Sequence, residues 1–180
     1  MKTRIALFRG INVGGSNTLP MRELVERLRA VGLRDVSTYI QSGNVVFRSR
    51  EDDTADLADR IKSAVRESHG FTPEVMILTP NQLEDALESN PYPQAEGEPR
   101  SLHLFFLATI PDDPDLEILE SIKRDSEDFE LRGSIFYLHA PEGIGRSKLA
   151  ARVERALGVP ATARNWRSAQ KTLDMVRSLT

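Results

Sequence analysis

The most constraining feature of this chain is an order of elements that occurs twice. Apolar periodicity and turn residues give strand, helix, hairpin, helix, strand and a trailing helix, and then the same order again. In the first pass "RIALF" (Arg4–Phe8) reads as a buried strand. "MRELVERLRAVG" places Met21, Leu24, Val25, Leu28 and Val31 on one helical face, with Gly32 as the stop. "DVSTYIQSGNVVFRS" alternates and turns at Ser42-Gly43-Asn44, as a hairpin does. A helix from about Thr54 to Ser68 turns Leu57, Ile61, Ala64 and Val65 inward. "EVMILT" (Glu74–Thr79) is a strand, and a short helix begins at Pro80 behind a Thr79/Gln82 capping box.

In the second pass "SLHLFFLATI" is a strand and "DPDLEILESIKRD" a helix with Pro114 in its first turn. "DFELRGSIFYLHA" is a hairpin turning near Arg132-Gly133, and "SKLAARVERALG" is a helix. "PATAR" (Pro160–Arg164) is a short fourth strand, and "NWRSAQKTLDMVRSL" is a trailing helix. The reading is α+β: two tandem ferredoxin-like (αβ-plait, β-α-β-β-α-β) units, each an antiparallel sheet with two helices on one face, plus a trailing helix. Residues 1–90 form the first unit and 101–180 the second. Between them "NPYPQAEGEPR" contains three prolines and a glycine, which makes 91–100 a linker. The competing arrangement is one mixed sheet shared by both halves.

Composition narrows the function classes. With 39% hydrophobic and 28% charged residues the chain is globular rather than disordered. It has no cysteine, which removes disulfides, thiolate metal sites and thiol nucleophiles and fits a cytoplasmic protein. No apolar run approaches the roughly 20 residues that span a bilayer, so no membrane partner is expected, and "MKTRIALFRG" has no signal-peptide core. The net charge of −3 is unevenly spread: Pro141–Thr180 carries eight Lys/Arg against three Asp/Glu, or +5, which leaves −8 on the rest. A basic C-terminal segment on an acidic body suits a local anion site better than a protein that coats duplex nucleic acid.

Helix starts sharpen that expectation. The positive end of a helix favours acids and disfavours bases by roughly 0.3–1 kcal/mol. The helices near Thr54, Pro80 and Pro114 obey, with Glu51, Asp52 and Asp53 before the first, Glu84 and Asp85 in the second, and Asp112, Asp113, Asp115 and Glu117 around the third. The last two do not. "GIGRSKL" sets Arg146 and Lys148 around the cap Ser147, and "TARNWR" sets Arg164 and Arg167 around the cap Asn165. A bound anion relieves this reversal, because backbone N–H groups, helix dipole and guanidinium groups all favour it. The ordinary explanation is that the long side chains reach away into solvent or pair with the acidic body.

The stretch "LFRGINVGGSNTLPM" resembles a phosphate loop at first sight. It lacks the Gly-Lys-Ser/Thr ending of a Walker loop and the G-x-G-x-x-G spacing of a dinucleotide turn. Gly14 and Gly15 are explained by turn geometry, and Arg9 and Asn12 become possible walls of a pocket. In "YIQSGN", Gly43 and Asn44 suit a tight turn, and Tyr39 and Gln41 alternate with Ile40. Trp166, the only tryptophan, follows a cap; it can orient a ring, although anchoring the last helix is the commoner role. His69, His103 and His139 have no partner at metal-ligand spacing, so no metal site and no cofactor are expected. No nucleophile or acid–base pair stands out, and whether the chain is an enzyme stays open.

With "RGINVGG", "YIQSGNVVF", "GRSKL" and "TARNWR" in the same order, the chain resembles a bacterial family of unknown function, domain-of-unknown-function family 1697. The resemblance implies a cytoplasmic protein of two ferredoxin-like units and no known reaction, cofactor or catalytic residue. Its motifs fall on Arg9–Gly15, Tyr39–Phe47, Gly145–Leu149 and Thr162–Arg167.

The leading expectation is a protein that binds a phosphorylated small molecule or nucleotide. Arg9, Arg146, Ser147, Lys148, Arg164, Asn165 and Arg167 would hold the anion. Asn12, Gly14, Gly15, Tyr39, Gln41, Asn44 and Trp166 would line the pocket. Single-stranded RNA binding ranks second, because "RIALFRG" and "IFYLHA" lack the basic-Gly-aromatic pattern of RNA-binding plaits. A transferase or hydrolase acting on a phosphorylated metabolite is a further alternative, as is an interaction module. The residues leave the oligomeric state open.

Overall fold

A computed structural model describes residues 1–179. The first set of elements is β1 (Lys2–Arg9), α1 (Met21–Ala30), β2 (Arg34–Tyr39), β3 (Asn44–Ser49), α2 (Thr54–His69), β4 (Glu74–Leu78) and α3 (Pro80–Glu88). The second is β5 (Leu102–Leu107), α4 (Leu116–Ile122), β6 (Asp128–Arg132), β7 (Ile135–His139), α5 (Lys148–Leu157), β8 (Ala161–Asn165) and α6 (Trp166–Ser178). A single 3₁₀ turn at Pro93–Ala95 lies between them. The strands form two separate four-stranded sheets, ordered β2-β3-β1-β4 and β6-β7-β5-β8. Every pairing is antiparallel. Two like sheets with the same strand order are the tandem α+β arrangement expected from the repeated sequence pattern, and among the described residues no sheet is shared.

Local chemistry explains the element boundaries. The Asp53 carboxylate accepts from the N–H groups of Ala55 and Asp56 and starts α2. At α3 the Thr79 hydroxyl accepts from Gln82 N at 3.2 Å, while the Gln82 side chain accepts from Thr79 N at 2.8 Å, the reciprocal box read in the sequence. α4 begins two residues beyond Pro114, because Asp115 supplies the cap by accepting from Ile118 N at 3.0 Å. In β2 the register slips between Arg34 and Ser37, with Asp35 at φ 51°, so this edge strand carries a bulge.

The chain divides into two compact units: Met1–Asp85 together with the residues from Gln170 onward, and Ala86–Ala169. In the first, Ala6, Phe8, Val45 and Phe47 meet Leu24, Leu28, Leu57, Ile61 and Val65 of α1 and α2. Its C-terminal segment is tied in by an Arg177–Glu84 ion pair at 2.7 Å and by Arg48, which donates to the Leu179 carbonyl. In the second, Phe105, Phe136 and Leu138 meet Leu119, Leu149, Val153 and Leu157 of α4 and α5. The faces turned away from these helices are buried too, through Ile5, Leu7 and Val46 in one sheet and Leu104, Phe106 and Tyr137 in the other. Sheets buried on both faces explain why β1 and β5 read as continuous apolar runs rather than alternating ones.

Candidate functional site

In the first unit the Arg9–Pro20 loop is tied to itself. Asn12 N donates to Asn17 O at 3.1 Å, Ser16 N to Val13 O at 3.0 Å, and the Asn17 amide to Gly10 O at 2.8 Å. Gly14 and Gly15 take φ of 58° and 77°, a left-handed turn that glycine adopts without strain. The Asn12 side chain accepts from Leu19 N at 2.7 Å and donates to Leu19 O and Gln41 O, each at 2.9 Å. Its amide therefore fastens the loop to the β2–β3 turn. Asn44 is fully buried and donates to Tyr39 O and to the Ser42 hydroxyl. Arg9, Gly14, Gly15 and Gln41 are exposed and Tyr39 is half-buried. Ile40 stands at φ 51° with half its surface exposed, an uncommon state for a β-branched residue.

In the second unit both predicted caps are present. Ser147 Oγ accepts from Ala150 N at 3.0 Å, and Asn165 Oδ1 accepts from Ser168 N at 2.9 Å. Arg146 and Lys148 are exposed. Arg124 fixes the loop that carries Arg146, donating to the Arg146 carbonyl at 2.9 Å and pairing with Glu142 at 3.3 Å. The Ser126 hydroxyl donates to the same Glu142 carboxylate at 2.8 Å. Register places His139 of β7 beside Leu102, and Asn165 of β8 beside His103, so the ends of β7 and β8 meet the start of β5. At this end a cavity of about 460 Å³ is lined by Glu98, Pro99, Arg100, Ser101, Pro141, Glu142, Gly143 and Arg167. Arg167 of the predicted set lines it, and Arg146, Ser147 and Lys148 do not. Arg100 does line it and was missed by sequence reasoning, because it ends a stretch read as linker.

Arg164 lies on the face of this sheet turned away from α4 and α5. Ala161 and Ala163 join the core under α4 and α5, and alternation turns Thr162 and Arg164 to the other face, where Arg164 pairs in register with Leu104. Only 8% of Arg164 is exposed, and its Nη1 donates to Ala163 O at 2.8 Å. Burial pushes its pKa down to about 10, so it stays charged at neutral pH. Trp166 is buried, with no hydrogen-bond partner at Nε1 among the described residues; it anchors the start of α6. His103 is buried at the same end of the sheet, and its Nδ1 also has no partner among the described residues. Desolvation holds this imidazole down to about 4.

The model of a family described as proteins of unknown function (DUF1697) matches residues 1–137. The chain belongs to this family. The matched residues include the Arg9–Gly15 and Tyr39–Phe47 motifs, whereas Gly145–Leu149 and Thr162–Arg167 lie beyond them. The chain is also similar to a solved structure, the conserved bacterial protein SP0830 from Streptococcus pneumoniae. The two are 26% identical, with a TM-score of 0.65 over 97% of this chain and 98% of that one. No curated protein matches.

What this family member can do chemically follows from the cavity lining. Arg100 and Arg167 are donors only, and of the two carboxylates Glu142 is committed to Arg124 and Ser126. The Ser101 hydroxyl donates to Glu98 O at 2.8 Å. Among the described residues no histidine, lysine or tyrosine lines it, so the arrangement suits recognition of charge more than proton transfer. Among the described residues no group of three or more His, Cys, Asp or Glu is placed to hold a metal ion. No helix among them is long and apolar enough to cross a membrane.

Proposed function

We propose that the protein binds a phosphorylated small molecule in the second unit, at the cavity lined by Arg100 and Arg167. The observation that carries this reading is the position of Arg167. It is the second residue of α6, in the positive first turn of a helix capped by Asn165, and it shares a cavity with a second arginine. A volume of about 460 Å³ falls within the roughly 300–1,000 Å³ of small-molecule sites. Small molecules are favoured over single-stranded RNA because Phe105, Phe106, Phe136 and Tyr137 of this sheet are buried, and the half-buried Phe129 of the edge strand is already stacked on Phe136 at 5.3 Å.

The test is calorimetric titration of the whole chain with a phosphate monoester such as ribose 5-phosphate, beside the Arg100→Gln/Arg167→Gln variant. Each charge-assisted hydrogen bond lost should weaken binding by about tenfold or more. Equal affinity in the variant defeats the reading. A steep loss of oligonucleotide binding with salt, flattened in the same variant, would move it to RNA.

A further inference from the structure

A second basic pocket lies in the first unit, and it shares no residue with the Arg100/Arg167 cavity. A cavity of about 300 Å³ is lined by Met1, Gly32, Arg34, Ser49, Arg50, Glu51 and Arg60. Arg34 opens β2, Arg50 follows β3, and Arg60 comes from the middle of α2. Three segments remote in sequence thus bring three guanidinium groups to one concavity. Arg60 is held in place: it donates to the Val31 carbonyl at the end of α1, and a Cβ at Gly32 would lie 3.8 Å from its Nη2.

Neighbouring arginines normally recruit carboxylates, and here two of them do not. Across the β2–β3 register Arg34 opposes Arg48, and Arg48 is the one with partners, Asp35 at 3.7 Å and the Leu179 carbonyl. Arg34 and Arg50 make no ion pair among the described residues. Glu51, the single carboxylate in the lining, spends Oε1 on the N–H groups of Asp52 and Asp53, at 3.0 and 3.2 Å. Ser49 is only 2% exposed. Its Oγ accepts from Glu51 N at 3.0 Å, which leaves the hydroxyl proton without an acceptor among the described residues. The pocket therefore presents a surplus of donors, one of them a buried hydroxyl.

We infer that this pocket is an oxyanion site that takes a phosphate monoester or diphosphate group, with Arg34 and Arg50 as its clamps, Arg60 as its fixed wall and Ser49 as a donor at its floor. A guanidinium fork matches the spacing of two phosphate oxygens, and several forks on one group are the usual phosphate solution. The surroundings limit the ligand's size. The adjoining cavity shares Glu51 and Arg60 but turns acidic, with Asp56, Asp59 and Glu67. A long polyanion would run onto those carboxylates, whereas a compact one stays among the arginines.

The site is independent of the one proposed above, and the experiment separates them. The whole chain is titrated with pyrophosphate by calorimetry, beside Arg34→Gln/Arg50→Gln, Ser49→Ala and Arg100→Gln/Arg167→Gln. Saturable binding tighter than about 1 mM is expected. It should weaken about tenfold per guanidinium removed from the first pair, less in Ser49→Ala, and persist as a binding event in Arg100→Gln/Arg167→Gln. Arg34 and Arg50 are exposed, so thermal melts of their variants should match wild type. No saturable binding, or unchanged binding in Arg34→Gln/Arg50→Gln, overturns the inference. So does tighter binding of a long polyphosphate than of pyrophosphate through the same two residues.

Discussion

Gly15 and Gly43 look alike in the sequence, and the structure predicts that they fail differently. Both sit in the left-handed region, at φ 77° and 73°, where an alanine costs about 1–2 kcal/mol. At Gly15 nothing lies within 4 Å of an added Cβ, so Gly15→Ala should stop at that cost. At Gly43 the Cβ would lie 2.5 Å from Phe8 Cβ and 2.8 Å from Ile11 Cδ1. Phe8 Cβ is fixed by the backbone of the central strand, and Phe8 N donates to Gly43 O at 2.9 Å, so the turn cannot back away. Overpacking adds about 1–3 kcal/mol, which brings Gly43→Ala to about 2–5 kcal/mol. In a chain of this length each kcal/mol lowers Tm by about 2–4 °C. Thermal and urea unfolding followed by circular dichroism measures both variants, with Gly15→Asn as a control that tolerates positive φ. If Gly43→Ala melts no lower than Gly15→Ala, the close approach of this turn to Phe8 is wrong.

Three further outcomes follow from single contacts. Asn12→Ala removes three hydrogen bonds, with Leu19 N, Leu19 O and Gln41 O; at about 1 kcal/mol each it should cost about 2–3 kcal/mol in urea unfolding. Asn12→Asp should be no better, because a carboxylate would face two carbonyls. Burial lowers the His103 pKa from 6.5 to about 4, so the unfolded chain binds the proton first. The stability contributed by neutral His103 is complete above pH 6.5 and drains away as pH falls toward 4, by up to a few kcal/mol, and His103→Gln should flatten that part of the urea-midpoint profile. Tyr137 donates to the Ala86 carbonyl at 2.6 Å in a buried setting, so Tyr137→Phe should cost about 1–2 kcal/mol in the same assay.

The fold was legible because its signals are local. Strand, helix and turn each have a period or punctuation of their own, and doubling of the order pointed to two like units, while the two separate sheets of the structure exclude the shared mixed sheet. Capping was legible for the same reason, since Ser147, Asn165 and the Thr79/Gln82 box each act within three residues of chain. What escaped was the second buried face of each sheet. A run such as "RIALF" fits a strand covered on one face or on both, and only the observed burial of Ile5 and Leu7 decides.

The candidate sites were less legible, for a reason visible in Arg164 and Arg167. The sequence groups them by distance along the chain and by their common excess of charge at a helix start. The strand period separates them: Arg164 is still in β8 and turns to the buried face beside Leu104, while Arg167 is already in α6 and reaches the cavity with Arg100. Reversed charge at a helix start therefore does not say which cations the fold gathers around it. That depends on which strand ends and loops the topology gathers. Arg100 comes from a stretch punctuated as linker, and Arg34, Arg50 and Arg60 come from three elements that each look ordinary alone. None of these four adjoins a motif that names phosphate, so composition and spacing had nothing to weigh. The same logic assigns opposite roles to two asparagines of one loop region. Asn12 and Asn44 look like ligand contacts in a Gly-rich setting, yet their amides are consumed by Leu19, Gln41, Tyr39 and Ser42. Polar residues that hold a loop and polar residues that hold a ligand have the same composition. They differ in whether their donors are already engaged within the fold, as those of Asn12 and Asn44 are.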